Sequence, residues 1–489
     1  MTKDYVISEL ENVPSLVPRL TAKKLLPAYT HNELRERILK GEYLVIVDGY
    51  VLNLTGFASK HPGGAAAILN MVGKDATDEM HAMHPDEVFT KHANHYIVAK
   101  YANDVEGFSF VEDLDLEYSK PTPVDKSMKE WDGLDNKAIA EDYRKLENHL
   151  RAKNMYKCNY YNYAIEATRI LAIFAGMIYF TCFGDTSSVW RVVMSSICAA
   201  LLWQQEAFTA HDLGHAAVTG VNKIDTSIGL FVGDFLIGLS TGWWKDSHNV
   251  HHIVTNQPEN DPDIQHLPFM AISPVFFFND LYSTYYKRSL KFDAFSNLLV
   301  QIQHKSYYII MTFGRYNLYV LSWVHVLFKV KGPQKYFELL GLTGFWVWYS
   351  FLLSFLPSYK LILLQIWLSH SIAAILHVQL TLSHFGMPVH SPNPETECFM
   401  VRQIRTSLDI VCPSWMDWFH GGLHFQVEHH LFPRLPRHNL PYVKTLVKKL
   451  CEKHGIKYSE LSFFNANVFT LGVMENTANT LTAYLLKKS

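Results

Sequence analysis

Three clusters of polar residues in the second half of the chain have the spacing of metal ligands. Members of each cluster lie three or four residues apart, so on a helix they share one face. The clusters contain His211 and His215; His248, His251 and His252; and Gln426, His429 and His430. Several imidazoles without thiolates or grouped carboxylates favour a non-haem iron site. Any one of these histidines could be an ordinary buried side chain, but three such clusters together indicate a metal centre.

Another pair of histidines, nearer the N-terminus, could hold a haem iron. His61 begins the sequence HPGG, and His84 follows 23 residues later. Two neutral imidazoles on opposite sides of a crevice give the six-coordinate iron of an electron-transfer haem. Gly63 and Gly64 would let the backbone approach the macrocycle closely. A surface histidine in a Pro-Gly turn is the alternative for this motif taken alone.

Five further histidines recur at helical spacing. His370, His377 and His384 are seven residues apart and therefore share one helix face. We expect His384, which lies nearest the clusters, to be an additional iron ligand. His377 is a weaker candidate, and His370 is more typical of a packing residue. His420 and His424 are four residues apart but precede the third cluster, so their role stays open.

The elements that must position these residues differ between the two ends of the chain. Residues 1–120 carry 12 Lys and Arg against 18 Asp and Glu, a net charge of −6. Thr30 and Glu33 form the pattern of a capping box, which predicts the start of a helix. Two apolar runs flank Asp48-Gly49, a pair suited to a two-residue hairpin turn. We therefore expect a small, acidic α+β domain at this end.

The rest of the chain alternates apolar runs with polar loops. Uncharged runs at 339–359 and 361–394 exceed the roughly 20 residues that span a bilayer core, and weaker runs cover 167–183 and 189–208. These runs predict four transmembrane helices in two hairpins. Lys and Arg concentrate in the long loop between the hairpins, which places both termini and the long loops in the cytosol. The interrupted apolar block 228–244 is expected to lie at the membrane interface.

The composition excludes several classes of protein. Hydrophobic residues make up 48% of the chain and charged residues only 18%, below the roughly 25% of soluble proteins. A net charge of −2 lacks the basic excess that nucleic-acid binding needs. The six cysteines contain no CxxC motif, which argues against a disulfide framework or a zinc site. An iron centre that receives electrons from a haem on membrane helices indicates oxidation of a lipid C–H bond, giving an alkene or an alcohol.

Two series of motifs resemble known families. The hairpin, HPGG and GKDAT occur in that order, and residues 24–102 resemble cytochrome b5. HDLGH, HNVHH and QVEHH are similar to the histidine boxes of the front-end desaturases, which are membrane di-iron enzymes with an N-terminal cytochrome b5 domain. Gln426 in place of a histidine in the third box is a mark of that group. The likeness covers roughly residues 24–465.

The resemblance implies a fold and a location. An α+β cytochrome b5-like haem domain would be fused to an all-α integral membrane desaturase domain with about four transmembrane helices. The ranges are 24–102 for the haem domain, 103–160 for a linker and pre-membrane segment, 161–465 for the desaturase domain and 466–489 for a C-terminal tail. The family further implies a multi-pass protein of the endoplasmic reticulum membrane, with the haem domain and the histidine boxes facing the cytosol.

The resemblance also implies the cofactors and redox partners. Haem b would have His61 and His84 as axial ligands beside Gly63 and Gly64, although His81 lies close enough to compete with His84. Two non-haem irons would be bound by the seven box histidines and one more, with the third-box glutamine beside or on the metal. Those ligands are His211, His215, His248, His251, His252, His384, His429 and His430. Dioxygen would be the oxidant, and NADH-cytochrome b5 reductase would supply electrons by docking on the acidic haem segment.

Three stretches of sequence indicate which class of lipid is the substrate. Residues 238–269, 376–385 and 419–440 look most like the fungal sphingolipid delta-8 desaturases, which act on the long-chain base of ceramide. Front-end desaturases that introduce delta-5 or delta-6 bonds into acyl chains are the alternative. A lipid hydroxylase and a non-enzymatic membrane haem protein are more distant alternatives. Asp261 and Asp263 either contact a lipid head group or brace a metal-binding turn.

Overall fold

The computed structural model describes residues 13–22, 25–109, 114–278 and 280–488. Residue 24, the predicted start of the haem domain, lies outside these ranges. Within them the chain forms a small mixed α/β domain near the N-terminus and a larger helical part.

The N-terminal domain is built on a four-stranded sheet. Its strands are β1 (Ala28–Tyr29), β2 (Leu44–Val47), β3 (Tyr50–Asn53) and β4 (Ile97–Tyr101), in the order β1-β4-β3-β2. Strands β2 and β3 form the predicted hairpin, in which Val47 pairs with Tyr50. Asp48 and Gly49 both have positive φ. A two-residue turn of this type needs the left-handed region at both positions, which explains the Asp-Gly sequence.

Three short helices complete this domain. They are α1 (His31–Leu39), α2 (Ala65–Leu69) and α3 (Thr77–Met83). The predicted capping box starts α1: the Thr30 hydroxyl accepts a hydrogen bond from the Glu33 backbone N–H, and the Glu33 carboxylate accepts one from the Thr30 N–H. HPGG lies just before α2, and His84 directly follows α3. The two candidate haem ligands are therefore placed at the ends of short helices.

The helical part contains fifteen α-helices within the described residues. They are α4 (Asn136–Ala152), α5 (Tyr160–Cys182), α6 (Val189–Gly214), α7 (Asn222–Gly229), α8 (Thr241–Ile253), α9 (Val275–Phe278), α10 (Ala294–Gln301), α11 (Gln303–Phe328), α12 (Pro333–Leu353), α13 (Tyr359–Leu382), α14 (Phe399–Thr406), α15 (Asp417–His420), α16 (Gln426–Leu431), α17 (Leu440–His454) and α18 (Phe463–Lys488). A π-helix, Leu230–Ile237, directly follows α7 and precedes α8.

Two small sheets lie between these helices. β5 (Leu281–Ser283) pairs with β6 (Arg288–Leu290), and β7 (Asp409–Val411) pairs in parallel with β8 (Glu460–Ser462). The second pair ties the segment before the third histidine box to the segment before α18.

Helices occupy all four predicted membrane spans, but by length and composition only α5 and α13 are suited to cross a membrane. A third candidate is the pair formed by residues 222–237 and α8, which is bent by 109°. Helices α6 and α12 have 26 and 21 residues, but polar residues such as Gln204 and Glu206 lower the hydropathy of α6. Among the described residues, four spans are therefore not confirmed. The uncharged run that continues to residue 394 is helical only as far as Leu382.

The last helix, α18, covers most of the segment that the sequence assigned to a C-terminal tail. Ala466 and Met474 are buried in a core shared with α11 and α13. The Gln303 side-chain amide donates to the Met474 carbonyl at 2.9 Å. This segment is therefore packed as part of the helical domain.

Candidate metal centre and haem crevice

The three clusters and His384 converge on one buried region. The end of α6, helix α8, the residues after α13 and helix α16 each contribute histidines. Two groups form there, and each member offers one nitrogen within 4.8 Å of those of the other members. The groups are His211, His215, His248 and His429, and His251, His384 and His430. Residues that are far apart in the chain thus form two adjacent sets of metal-binding geometry.

His252 lies between the two groups. Its Nε2 is 3.1 Å from the Nε2 of His248 and 3.1 Å from that of His429. Its ring stacks on that of His430, with 4.3 Å between ring centres. Two nitrogens that share one ion through bonds of about 2 Å lie roughly 3 Å apart. The nitrogen spacing around His252 therefore matches shared coordination.

Several imidazole nitrogens in this region have no protein partner. His211 Nε2, His215 Nε2 and His430 Nε2 are buried without a hydrogen bond among the described residues. A buried nitrogen in that state is costly unless an ion binds it. Burial and neighbouring imidazoles lower the pKa of His429 and of His430 well below the usual range. Both rings are thus neutral, the form that binds metal, and the all-imidazole donor set fits iron.

Outer contacts orient the histidines of the second group. In each, Nδ1 faces an oxygen acceptor, which directs Nε2 inward, as is usual around bound metals. The pairs are His251 with Asp261 Oδ2 at 2.9 Å, His384 with the Thr406 carbonyl at 3.0 Å, and His430 with Gln403 Oε1 at 3.0 Å. No sequence motif marks Gln403 or Thr406, since both lie in α14, which carries no histidine.

Asp261 braces this region and does not face a head group. Its side chain is fully buried and accepts hydrogen bonds from the backbone N–H groups of Asn256 and Asp263 as well as from His251. The Asp263 carboxylate is 3.9 Å from His251, and 39% of that side chain is exposed. Of the two interpretations of Asp261, the bracing one agrees with these contacts.

The remaining candidate ligands differ in whether they lie beside the two histidine groups. The Gln426 amide nitrogen lies 3.2 Å from His384 Nε2, at the edge of the second group. His370 Nδ1 donates to the Ile366 carbonyl at 2.8 Å, and its Nε2 accepts from the Tyr319 hydroxyl at 3.3 Å. Its ring packs among aromatic rings, as expected of a packing residue. His377 belongs to neither group and lies against Gly314.

His420 and His424 lie outside both groups. His420 Nδ1 is 3.3 Å from the Gln379 amide nitrogen. His424 Nε2 is 3.1 Å from Asp417 Oδ1, and together with Cys412 these residues form a third, smaller group of possible ligands. The imidazole of that group already has a carboxylate partner.

The geometry of the haem crevice agrees with two axial imidazoles. The ring centres of His61 and His84 are 5.8 Å apart. Rings that bind one ion from opposite sides through bonds of about 2 Å have centres roughly 6 Å apart. The Nδ1 atoms of the two rings lie 2.9 Å from the Gly64 carbonyl and 3.0 Å from the Met80 carbonyl, which leaves both Nε2 atoms for iron. Burial lowers the pKa of His84 to about 3, so it is neutral.

His81 does not share this crevice. Its Nε2 lies 3.2 Å from Asp48 Oδ1, and its ring stacks on Phe89 at 4.1 Å between centres. These contacts remove the competition with His84 that the sequence left open.

The glycines of HPGG make a contact that the sequence did not indicate. A Cβ added to Gly63 would lie 3.1 Å from the Asn249 side-chain nitrogen, and one added to Gly64 would clash with the Asp246 carboxylate. Asn249 and Asp246 belong to α8, which also carries the second histidine box. The close approach that glycine permits here is therefore an approach to the helical part of the chain.

Arginines of the helical part bind α3 and the residues beside it. Three pair with carboxylates, and a fourth donates to the backbone carbonyl of a candidate haem ligand. The contacts are Arg144 with Asp78 at 2.6 Å, Arg151 with Asp86 at 2.6 Å, Arg402 with Glu79, and Arg434 Nη1 with the His84 carbonyl at 2.6 Å. These partners are 65 to 350 residues apart in the chain. Sequence patterns of short range could not reveal them.

Comparisons with known proteins agree with both parts of the chain. Residues 187–462 match the family described as fatty acid desaturase, and residues 30–102 match the cytochrome b5-like heme/steroid binding domain. A Delta 8-(E)-sphingolipid desaturase of Kluyveromyces lactis is 38% identical and covers 92% of each chain. One from Emericella nidulans is 37% identical over 90% of this chain and 93% of its own. A Delta(8)-fatty-acid desaturase 2 of Arabidopsis thaliana is 33% identical over 92% and 93%.

Proposed function

Because the chain belongs to the fatty acid desaturase family and carries a cytochrome b5-like haem domain, we propose that it introduces a delta-8 double bond into the long-chain base of a sphingolipid. The fungal relatives named for this reaction match the chain over nearly its whole length, haem domain included. The observation that carries the proposal is the pair of adjacent histidine groups, whose unpartnered nitrogens are suited to two irons.

The proposed iron ligands follow the two groups. One iron would be held by the first group and the other by the second, with His252 between them and Gln426 at the edge. His61 and His84 would hold haem b. When bound, the iron pair supplies the activation of dioxygen that removes hydrogen from two neighbouring methylenes. The haem supplies single electrons.

The protein's own residues prepare this chemistry. Asp261, Thr406 and Gln403 fix the imidazole orientation, so little reorganisation is needed when metal binds. All seven box histidines except His211 are buried, which keeps bulk water away from the reacting carbons.

We place the protein in the endoplasmic reticulum membrane. The apolar helices α5 and α13 support membrane insertion. Four spans, with α6 and α12 as the other two, would put the haem domain and all three boxes on the cytosolic side, where a NADH-cytochrome b5 reductase can reach the haem.

Desaturation of an acyl chain is the second candidate. The Arabidopsis relative is named as a fatty-acid desaturase, and it matches this chain over the same range as the fungal relatives. The two candidates share the metal centre and differ in the lipid that enters it.

One expression experiment separates the candidates. The full chain is produced in a yeast that lacks sphingoid-base desaturation, and long-chain bases and fatty acids are analysed by mass spectrometry. A delta-8 double bond in the long-chain base is expected, and a His429→Ala variant made at the same level should give none. New double bonds confined to fatty acids would overturn the sphingolipid assignment. An absence of any new double bond, with haem and iron bound, would overturn desaturation.

A further inference from the structure

Helix α8 separates the haem crevice from the iron-binding groups. One face carries Asp246, Asn249 and Val250, which contact the haem domain through HPGG and α2. The opposite face carries the second histidine box. An α-helix with its side chains is about 10 Å across. The haem ligand loop and the iron ligands are thus placed on two sides of a single helix.

The contact around α8 is partly apolar. Ala67 and Met71 from the region of α2 share one core with Val250 and Ile253 of α8 and with Val254, which follows that helix. Apolar packing of this kind resembles the interior of a domain more than a transient encounter surface. The haem domain therefore packs on the helical part through a preformed docking surface.

Arg434 makes the second connection between the two centres. It lies four residues after His430 and donates from Nη1 to the His84 carbonyl at 2.6 Å. Burial lowers the pKa of this guanidinium, and its Nε has no partner among the described residues. The guanidinium carbon of Arg434 lies 5.7 Å from the centre of the Tyr156 ring. Arg434 is a half-buried cation that donates to a main-chain carbonyl and has no carboxylate bonded to it among the residues described, which indicates a positional role for that bond.

The three carboxylate pairs reinforce this position. Asp78 and Glu79 are at least 92% buried as side chains, and each binds an arginine of the helical part. These acidic groups are therefore already neutralised within the chain. A reductase that docks on the acidic haem segment would therefore bind other carboxylates of that segment.

We propose that Arg434 is a positioning residue that holds His84 against the third-box segment and thereby fixes the haem domain in one docked position across α8. This inference rests on the proposed desaturase function. The haem held by His61 and His84 would supply single electrons to the iron pair held on the other side of α8. Two electrons and two protons would be needed, with the two hydrogens of the substrate, for each dioxygen reduced to two waters.

The test compares Arg434→Gln with the unchanged chain, both as full-length protein with haem and iron bound. Lys91→Gln is the matched control, because Lys91 is 65% exposed and pairs only locally with Glu87. Hydrogen–deuterium exchange reports docking through α2 and α3. Stopped-flow absorbance reports how fast prereduced haem is reoxidised when dioxygen and ceramide are added. The haem midpoint potential shows whether the haem site itself has changed.

We expect Arg434→Gln to keep haem and iron but to raise exchange in α2 and α3 and slow haem reoxidation at least tenfold, with Lys91→Gln unchanged. If Arg434→Gln does not fold, Asn249→Arg, which places a bulky side chain against Gly63, should give the same two changes. Unchanged exchange, or an unchanged reoxidation rate, in the folded variant overturns the proposal. Lipid analysis of the unchanged chain tests the desaturase function separately, since a wrong substrate would alter its product but not the exchange of α2 and α3.

Discussion

Replacing Asp261 with Asn should weaken one iron site and spare the other. Asp261 is fully buried and accepts three hydrogen bonds, one of them from His251 Nδ1 at 2.9 Å. Asn has the same shape, but its amide has only one acceptor oxygen. Either the His251 ring loses its acceptor or a backbone N–H does. The second histidine group depends on the orientation of His251, whereas the first group has no contact with Asp261.

The size of this effect follows from the bond that is lost. A hydrogen bond to a charged group contributes roughly 1.5–3 kcal/mol, which corresponds to about 10- to 100-fold in affinity at 1.36 kcal/mol per tenfold. Substitution of an outer contact to a metal ligand typically weakens metal binding by a similar factor. We therefore expect Asp261→Asn to bind the iron of the second group about 10- to 100-fold less tightly.

The assay is iron content after dialysis against a graded series of a chelator. The unchanged chain should retain two non-haem irons over a range of chelator in which Asp261→Asn retains about one. Asp263→Asn is the matched control, because that carboxylate is 3.9 Å from His251 and 3.7 Å from His248, both beyond hydrogen-bond distance, and is more than a third exposed, so a much smaller effect on either iron is expected. Equal loss of both irons in Asp261→Asn, or no loss relative to Asp263→Asn, would refute this account of the site.

Three further predictions test other parts of the structure. His61→Ala should remove the haem absorbance spectrum but leave the non-haem iron content unchanged, because the two centres have separate ligands; simultaneous loss of both would contradict this. Burial acts to raise the pKa of Asp142, but hydrogen bonds from two lysines and a histidine outweigh it and lower the pKa to about 2. Its stabilising effect is therefore present above about pH 4 and is lost as the pH falls towards 2, so a melting-temperature series for Asp142→Asn should show a shallower acid decline than the unchanged chain. Gly421→Ala should clash with Phe208 and lower stability by roughly 1–3 kcal/mol, which a lower melting temperature would show. Gly220 also has positive φ but has open space around it, so Gly220→Ala should lower stability less. Equal effects of the two substitutions would attribute the loss to backbone strain alone.

Local patterns predicted the elements that depend on neighbours in the chain. The Thr30 capping box and the Asp48-Gly49 hairpin both form as expected, because each is determined by a few consecutive residues. The seven-residue spacing of His370, His377 and His384 predicted which of the three lies nearest the boxes, and His384 does group with His251 and His430. Its role as an iron ligand stays a prediction.

Features that depend on distant partners were not predictable in the same way. The hydropathy of α6 is lowered by polar side chains that are buried between helices, so run length alone overestimated the number of clearly apolar spans. The glycines of HPGG fit closely against α8, a contact between residues about 185 apart in the chain that no local motif encodes. Arg434 acquires its role only when the two domains meet, and Gln403 only when α14 packs beside α16.

The docking of the haem domain on α8 also sets the effective concentration of the electron donor at the iron centre. A donor tied to the same chain and held against its acceptor works at an effective concentration in the millimolar range or above, set by geometry. Its supply to the iron centre is therefore independent of how much free cytochrome b5 the cell contains. Reduction of the docked haem from outside then becomes the step through which cellular redox state governs the reaction.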